Sequence, residues 1–305
     1  MATPVILPTT ETADDRYLGL DTWADAAVLE AFLEGQRRAI ESVAPAIPNL
    51  SRAAELIVDA LSGGGRLVYL AGGTPALISL GDALELPQTF GISRDQIVLL
   101  LAGGHAITHN LTGVDEDKPE LGEQDVSNAA VGAADCVLAT SASGSTPYTV
   151  AGLALAHKLG ARTIAIASNR DAPLFQHADV AVLLEAGPEV LSGSTRMGAG
   201  TAQKAALNML STLVGIRLGH VHDNYMVNVL ADNTKLKKRA TRIIATTAGV
   251  DIPTAEKALQ AAGGEVKPAI LMAAGAPTLE AANGVLERHK GFIRSALAEM
   301  SGRAD

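Results

Sequence analysis

Five short apolar runs recur through the middle of the chain: LVYLAGG from residue 67, QIVLLLAGG from 96, CVLATSASG from 136, TIAIASNRD from 163 and VAVLLEAGPE from 180. Each holds about five consecutive apolar residues and then breaks into glycines or hydroxyls. A strand covered on both faces reads as such a run, whereas a half-exposed strand alternates. Between several of the runs lie segments with apolar residues at steps of three and four, such as PYTVAGLALAHKLG from 147. The pattern predicts an α/β fold with a doubly wound parallel sheet between helices. In such a sheet, ligands sit beyond the carboxyl ends of the strands. Four of the five runs end there in loops rich in glycine or hydroxyls.

The flanks differ from the middle. Residues 1–20 read as irregular, and Asp21 to about Ser62 as helical. TRMGAGTAQKAALNMLSTLVGIRLG, from 195, reads as one long helix. PTAEKALQAAGG, VKPAILMAAG and PTLEAANGVLERHKGFIRSALAEM read as three short helices punctuated by Gly, Pro and Thr. The expected organisation is an N-terminal helical segment (1–62) packed on a main α/β domain (63–248), followed by a three-helix C-terminal module (249–305).

Composition narrows the function. Apolar residues make up 48% of the 305, enough for a full core, and aromatic residues only 3%. A net charge of −9 argues against nucleic acid or an acidic membrane as partner. The lone Cys136, inside an apolar run, reads as a buried small hydrophobe. The first fifteen residues lack the pattern of a signal peptide, and no apolar stretch approaches the ~20 residues of a membrane span, so a cytoplasmic protein is expected.

Three strand-to-helix loops are candidates for ligand contact. Ser141-Ala142-Ser143-Gly144-Ser145-Thr146 offers hydroxyls and helix-start N–H groups to an anion or polyol, and contains no Lys or Arg. LAGGTPAL, with Gly73 and Thr74, is neither a dinucleotide fingerprint nor a phosphate loop. LSGSTRMGAG opens the long helix, where Ser192, Ser194 or Thr195 can cap it. By pattern alone, Glu85 reads as a residue near the end of a helix that stops at Pro87, and Glu116 as a solvated charge in an acidic loop. His105 and His109 stand four apart without a third ligand, so neither metal nor cofactor is expected.

LSGSTRMGAGTAQKAALNMLST closely resembles the signature of N-acetylmuramic acid 6-phosphate etherases, members of the sugar isomerase (SIS) superfamily. The resemblance extends to TETADDR, GDALELPQTFG, SASGSTPY, NYMVNVLADNTKLKKRA, EVKPAILMA and HKGFIRSAL. It implies a SIS domain, a homodimer with active sites near the subunit interface, and a lyase that acts on a sugar or sugar phosphate. The implied reaction opens the ring, removes the C2 proton, expels D-lactate from C3 and adds water. The resemblance places the acid on Glu85 and the base on Glu116. It implies substrate contacts from Gly73, Thr74, Ser141, Ser143, Gly144, Ser145, Thr146, Glu189 and Ser194.

Four positions depart from the family pattern. Leu77, Ser145, Gly198 and Leu230 stand where the family usually has a basic residue, while Arg196, Lys204, Lys235 and Arg239 remain. Charge-assisted bonds are among the strongest polar contacts to phosphate or carboxylate. The departures therefore predict a less anionic ligand, lacking the 6-phosphate or the lactyl carboxylate. His105, where the family often has Pro, reads as a surface loop residue. A non-catalytic sugar sensor and an aldose–ketose isomerase are the alternatives, and retention of both Glu85 and Glu116 favours the lyase.

Overall fold

The computed structural model describes residues 8–111, 113–231 and 233–302. By their contacts these form two units. One takes the described residues through Ala83 together with Asp95–Ser211; the other takes Leu84–Arg94 and the described residues from Thr212 onward.

The first unit opens with α1 (Asp25–Glu41) and α2 (Ile47–Ser62). The continuous helical pattern over this stretch is interrupted where Pro45 and Pro48 sit in a short 3-10 turn and the start of α2. The sheet follows with β1 (Leu67–Ala71), β2 (Ile97–Leu101), β3 (Cys136–Thr140), β4 (Arg162–Ala167) and β5 (Val180–Leu183). All pairings are parallel, in the order β2-β1-β3-β4-β5. Every residue of β1 and β3 is buried, as their continuous apolar runs require. Cys136 lies within this core. Helices α3 (Gly73–Phe90), α4 (Pro119–Asn128) and α5 (Pro147–Lys158) connect the strands, and α6 (Gly198–Arg217) follows β5.

The chain leaves β1 toward β2 on one side, while β3 lies on the other. The carboxyl ends of β1 and β3 thus flank the switch point of the sheet, where such folds leave a crevice. Helix α3 runs past Pro87 to Phe90 instead of stopping before it; the proline lies in the last turn, and Gly91, at φ +63°, follows the helix end. Asn228 packs on Gly91 and donates Nδ2–H to the Phe90 carbonyl at 2.9 Å.

The second unit contains the hairpin β6 (Val221–His222) and β7 (Tyr225–Met226), then α7 (Thr234–Ala248), α8 (Ile252–Ala261), α9 (Val266–Ala273), α10 (Leu279–Arg288) and α11 (Ile293–Met300). Asn233, Asp251 and Thr278 cap α7, α8 and α10 through their side chains. After residue 249 there are four helices where three were expected. The last expected helix breaks at Lys290 and Gly291, both with positive φ, and restarts at Ile293. The apolar spacing continues across the break, so only the glycine signals it. No described helix is long and apolar enough to cross a membrane.

Candidate active site

A cavity of about 550 Å³ lies over the carboxyl ends of β1 and β3. Gly72 and Gly73 form its floor after β1. Gly73 has φ +62°, and a Cβ there would stand 2.6 Å from Glu116 Oε2. A Cβ on Gly72 would meet Glu116 Cβ at 3.0 Å, and one on Gly113 would meet Oε1 at 3.2 Å. The three glycines therefore admit the Glu116 side chain against bare backbone. The Glu116 carbonyl accepts the Tyr148 N–H at 3.0 Å, which ties this segment to the first turn of α5. Glu116 is half-buried and lines the cavity, where sequence pattern alone suggested a solvated loop charge. Burial first, and the neighbouring Asp117 second, raise its carboxyl above the ordinary glutamate range.

The 141–146 loop forms the facing wall. Buried Ser141 Oγ accepts the Gly144 N–H at 3.0 Å and shares a hydrogen bond with Thr146 Oγ1 at 2.8 Å. Ser143 Oγ accepts both the N–H and the hydroxyl of Ser145, at 3.1 and 3.0 Å. The loop is held from behind by Asn169, whose Nδ2 donates to the Ser143 carbonyl. At Gly144, φ +73°, a Cβ would strike Ala172 Cβ at 2.3 Å. Thr146 leads into α5 without capping it by its side chain. The loop hydroxyls are thus pre-organised by one another, and Ser143, Ser145 and Thr146 reach the cavity.

Of the residues expected at the site, the structure gathers Gly73, Thr74, Glu116, Ser143, Ser145 and Thr146 on this cavity, with Ser141 and Gly144 supporting them. Glu189 lies elsewhere, 5% exposed. Its two carboxylate oxygens accept the N–H groups of Gly198 and Ala199 at 2.8 and 2.9 Å. Glu189 therefore caps α6, in place of Ser192, Ser194 or Thr195. The positive end of the helix dipole and two charge-assisted bonds offset its desolvation. Ser194 is half-buried in the loop before α6, its carbonyl bonded to the Met197 N–H. Glu85 is exposed on α3, about three turns beyond Gly73, and belongs to the second unit.

Sequence reasoning missed Glu11 and Asp117 as cavity residues and saw Thr195 only as a cap. Glu11 lies in TETADDR, so the resemblance held a signal for it. Three carboxylates line the cavity, and among the described residues no lysine or arginine does. Ser145 lies on the cavity wall, Leu77 is exposed on α3, and Gly198 is buried beneath Glu189. His105 and His109 are both exposed. Among the described residues no group of three His, Cys, Asp or Glu is placed to hold a metal.

Comparison with known proteins agrees with this architecture. The SIS domain family matches residues 118–213. N-acetylmuramic acid 6-phosphate etherase of Mycolicibacterium smegmatis is 43% identical, over 94% of this chain and 97% of that one. The same enzyme of Pectobacterium atrosepticum is 40% identical, over 94% and 95%. Among solved structures, a phosphoheptose isomerase from Francisella tularensis overlays 64% of this chain and all of its own, with TM-score 0.49 and 16% identity. At such identity over nearly the whole length, the chain belongs to the N-acetylmuramic acid 6-phosphate etherase family, carbon–oxygen lyases of the SIS superfamily.

Proposed function

We propose that this lyase cleaves the 3-O-lactyl ether of an N-acetylmuramic acid-type sugar and that the sugar does not need a 6-phosphate. The observation that carries the reading is the cavity wall itself: Glu116 held against bare glycine backbone, hydroxyls opposite, and no cation among the described lining residues. Glu116 takes the C2 proton of the open-chain sugar. The electron pair left at C2 forms the C2–C3 double bond as the C3–O bond breaks, and a general acid, the role the family resemblance gives Glu85, protonates the departing lactate oxygen. Water then adds, its oxygen to C3 and a proton to C2. A base with a raised pKa suits a carbon-bound proton, since proton affinity rises with pKa.

Ser143, Ser145 and Thr146 suit the sugar hydroxyls. A phosphate placed among Glu11, Glu116 and Asp117 would meet like charge with no cation among the described lining residues to offset it. The reading includes a cytoplasmic homodimer, supported by Leu29, Leu33 and Ile40, each at least half exposed on one face of α1. Light scattering tests the dimer. The reaction is tested by incubating the protein in deuterated buffer with N-acetylmuramic acid, with and without the 6-phosphate. Proton NMR then follows lactate release and deuterium at C2. Lactate from the unphosphorylated sugar supports the reading, and its release from the 6-phosphate alone overturns the substrate assignment.

A further inference from the structure

The second unit buries a cation that the etherase reaction does not use. Lys267, in the first turn of α9, is 8% exposed. No carboxylate or other hydrogen-bond partner meets its ammonium among the described residues, and its Nζ lies against Gly291. Charged lysines are almost never buried this far unless paired, because an uncompensated ammonium loses its hydration. His220, also largely buried, does not neutralise it. Burial first, and the Lys267 charge second, lower the imidazole to about 4, so it is neutral at pH 7. Its Nδ1 has no hydrogen-bond partner among the described residues.

Lys267 lines a cavity of about 530 Å³, together with Asn228, Asn283, Gly263, Gly264 and Glu265. The cavity opens beside the start of α9, which no side chain caps. Pro268 brings no N–H, and the N–H groups of Val266 and Lys267 have no backbone acceptor among the described residues. Two N–H groups at a helix start, a buried ammonium in the same turn and the half-buried amide of Asn283 are the donor set of an oxyanion site. Glu265 is the carboxylate on this cavity; it is exposed and sits at the rim.

We propose that this cavity binds a small oxyanion, a phosphate or a carboxylate, on the Lys267 ammonium and the first turn of α9. The ammonium supplies the charge, and the N–H groups with Asn283 supply the direction. The site lies wholly in the second unit, and neither Lys267, Asn283 nor the first turn of α9 has a part in the proposed etherase chemistry, so it takes a ligand of its own. Desolvation lowers Lys267 to about 8, so most molecules carry the charge at pH 7 even before an anion arrives.

The test is a titration of the full chain, with lysine labelled by carbon-13 at Cε and the Lys267 resonance identified by its loss in Lys267→Met. Sodium phosphate and sodium D-lactate are added separately at pH 7, against sodium chloride of equal ionic strength. A saturable shift of the Lys267 resonance with either oxyanion, and a rise in its pKa at saturation, is the expected result. Response to phosphate alone identifies a phosphate site, and response to lactate alone a carboxylate site. Asn283→Leu leaves Lys267 in place and should weaken binding by about tenfold, the equivalent of one good polar contact. If neither anion moves the Lys267 resonance beyond the chloride control, the proposal is wrong, whatever the variants do.

Discussion

The loop after β3 and the loop after β5 look alike in sequence and act oppositely in the fold. Both are rich in Ser, Gly and Thr, and both open a helix. After β3, the hydroxyls bond to one another, and Ser143, Ser145 and Thr146 are presented to the cavity. After β5, the start of α6 is closed by Glu189, nine residues ahead in the chain, through two N–H bonds. Hydroxyl content therefore does not tell whether a helix start is open to a ligand. What decides is whether the protein has placed its own anion there. The contrast also separates buried Glu189 from half-buried Glu116. Glu189 faces a helix start and accepts two of its N–H groups, whereas burial and Asp117 oppose ionisation of Glu116.

The largest break in this comparison is expected from Glu116→Gln. The amide keeps the shape and cannot take a proton, so turnover should fall by about 10²–10⁴-fold in a lactate-release assay. Its stability should move the other way. The Glu116 carboxyl keeps its proton in the folded chain at pH values where the unfolded chain has released it, so stability is lost as pH rises from the unfolded value through the raised folded value, and the loss is complete above it. The variant should melt no lower than the parent at pH 7. Glu189→Gln should do the reverse. Removing one charged acceptor from a buried helix start should cost about 1–3 kcal/mol in chemical denaturation, with KM little changed. A raised KM at unchanged stability would make Glu189 a ligand group and end the contrast.

Ser145→Arg sharpens the comparison by returning a cation to the open loop. It should favour the 6-phosphorylated sugar over the plain sugar by about tenfold or more in kcat/KM, the scale of one charge-assisted bond. No change in that ratio would mean position 145 does not face the C6 substituent. The smallest effect is on pH dependence. Glu116 works ionised, so the rate should fall as pH drops through its raised pKa. The acid limb of kcat/KM should therefore lie above the ordinary glutamate value of about 4.3. A limb at or below that value would contradict a half-buried base.

The sheet was legible because each strand carries at least four consecutive apolar residues, from Leu67 to Leu183. The hydroxyl loop was legible because it follows such a run and precedes a helix. The break at Lys290–Gly291 was hidden by apolar spacing that continues across it. Pro87 misled because a proline removes a helical N–H bond and is expected to end the helix, yet α3 continues three residues past it to Phe90. Single-sequence reading gave Glu116 to solvent because no local pattern shows that Gly72, Gly73 and Gly113 converge on it. Glu189 and Lys267 were illegible for a related reason. Burial of a charge depends on partners far along the chain or on their absence, and neither leaves a periodic trace.

The most direct test of the account is proton NMR in deuterated buffer with N-acetylmuramic acid beside its 6-phosphate. A cavity with carboxylates and hydroxyls and no cation among its described lining residues predicts D-lactate and a deuterium at C2 from the unphosphorylated sugar. Turnover confined to the 6-phosphate would show that the phosphate finds a cation the cavity wall does not hold, and would contradict the account.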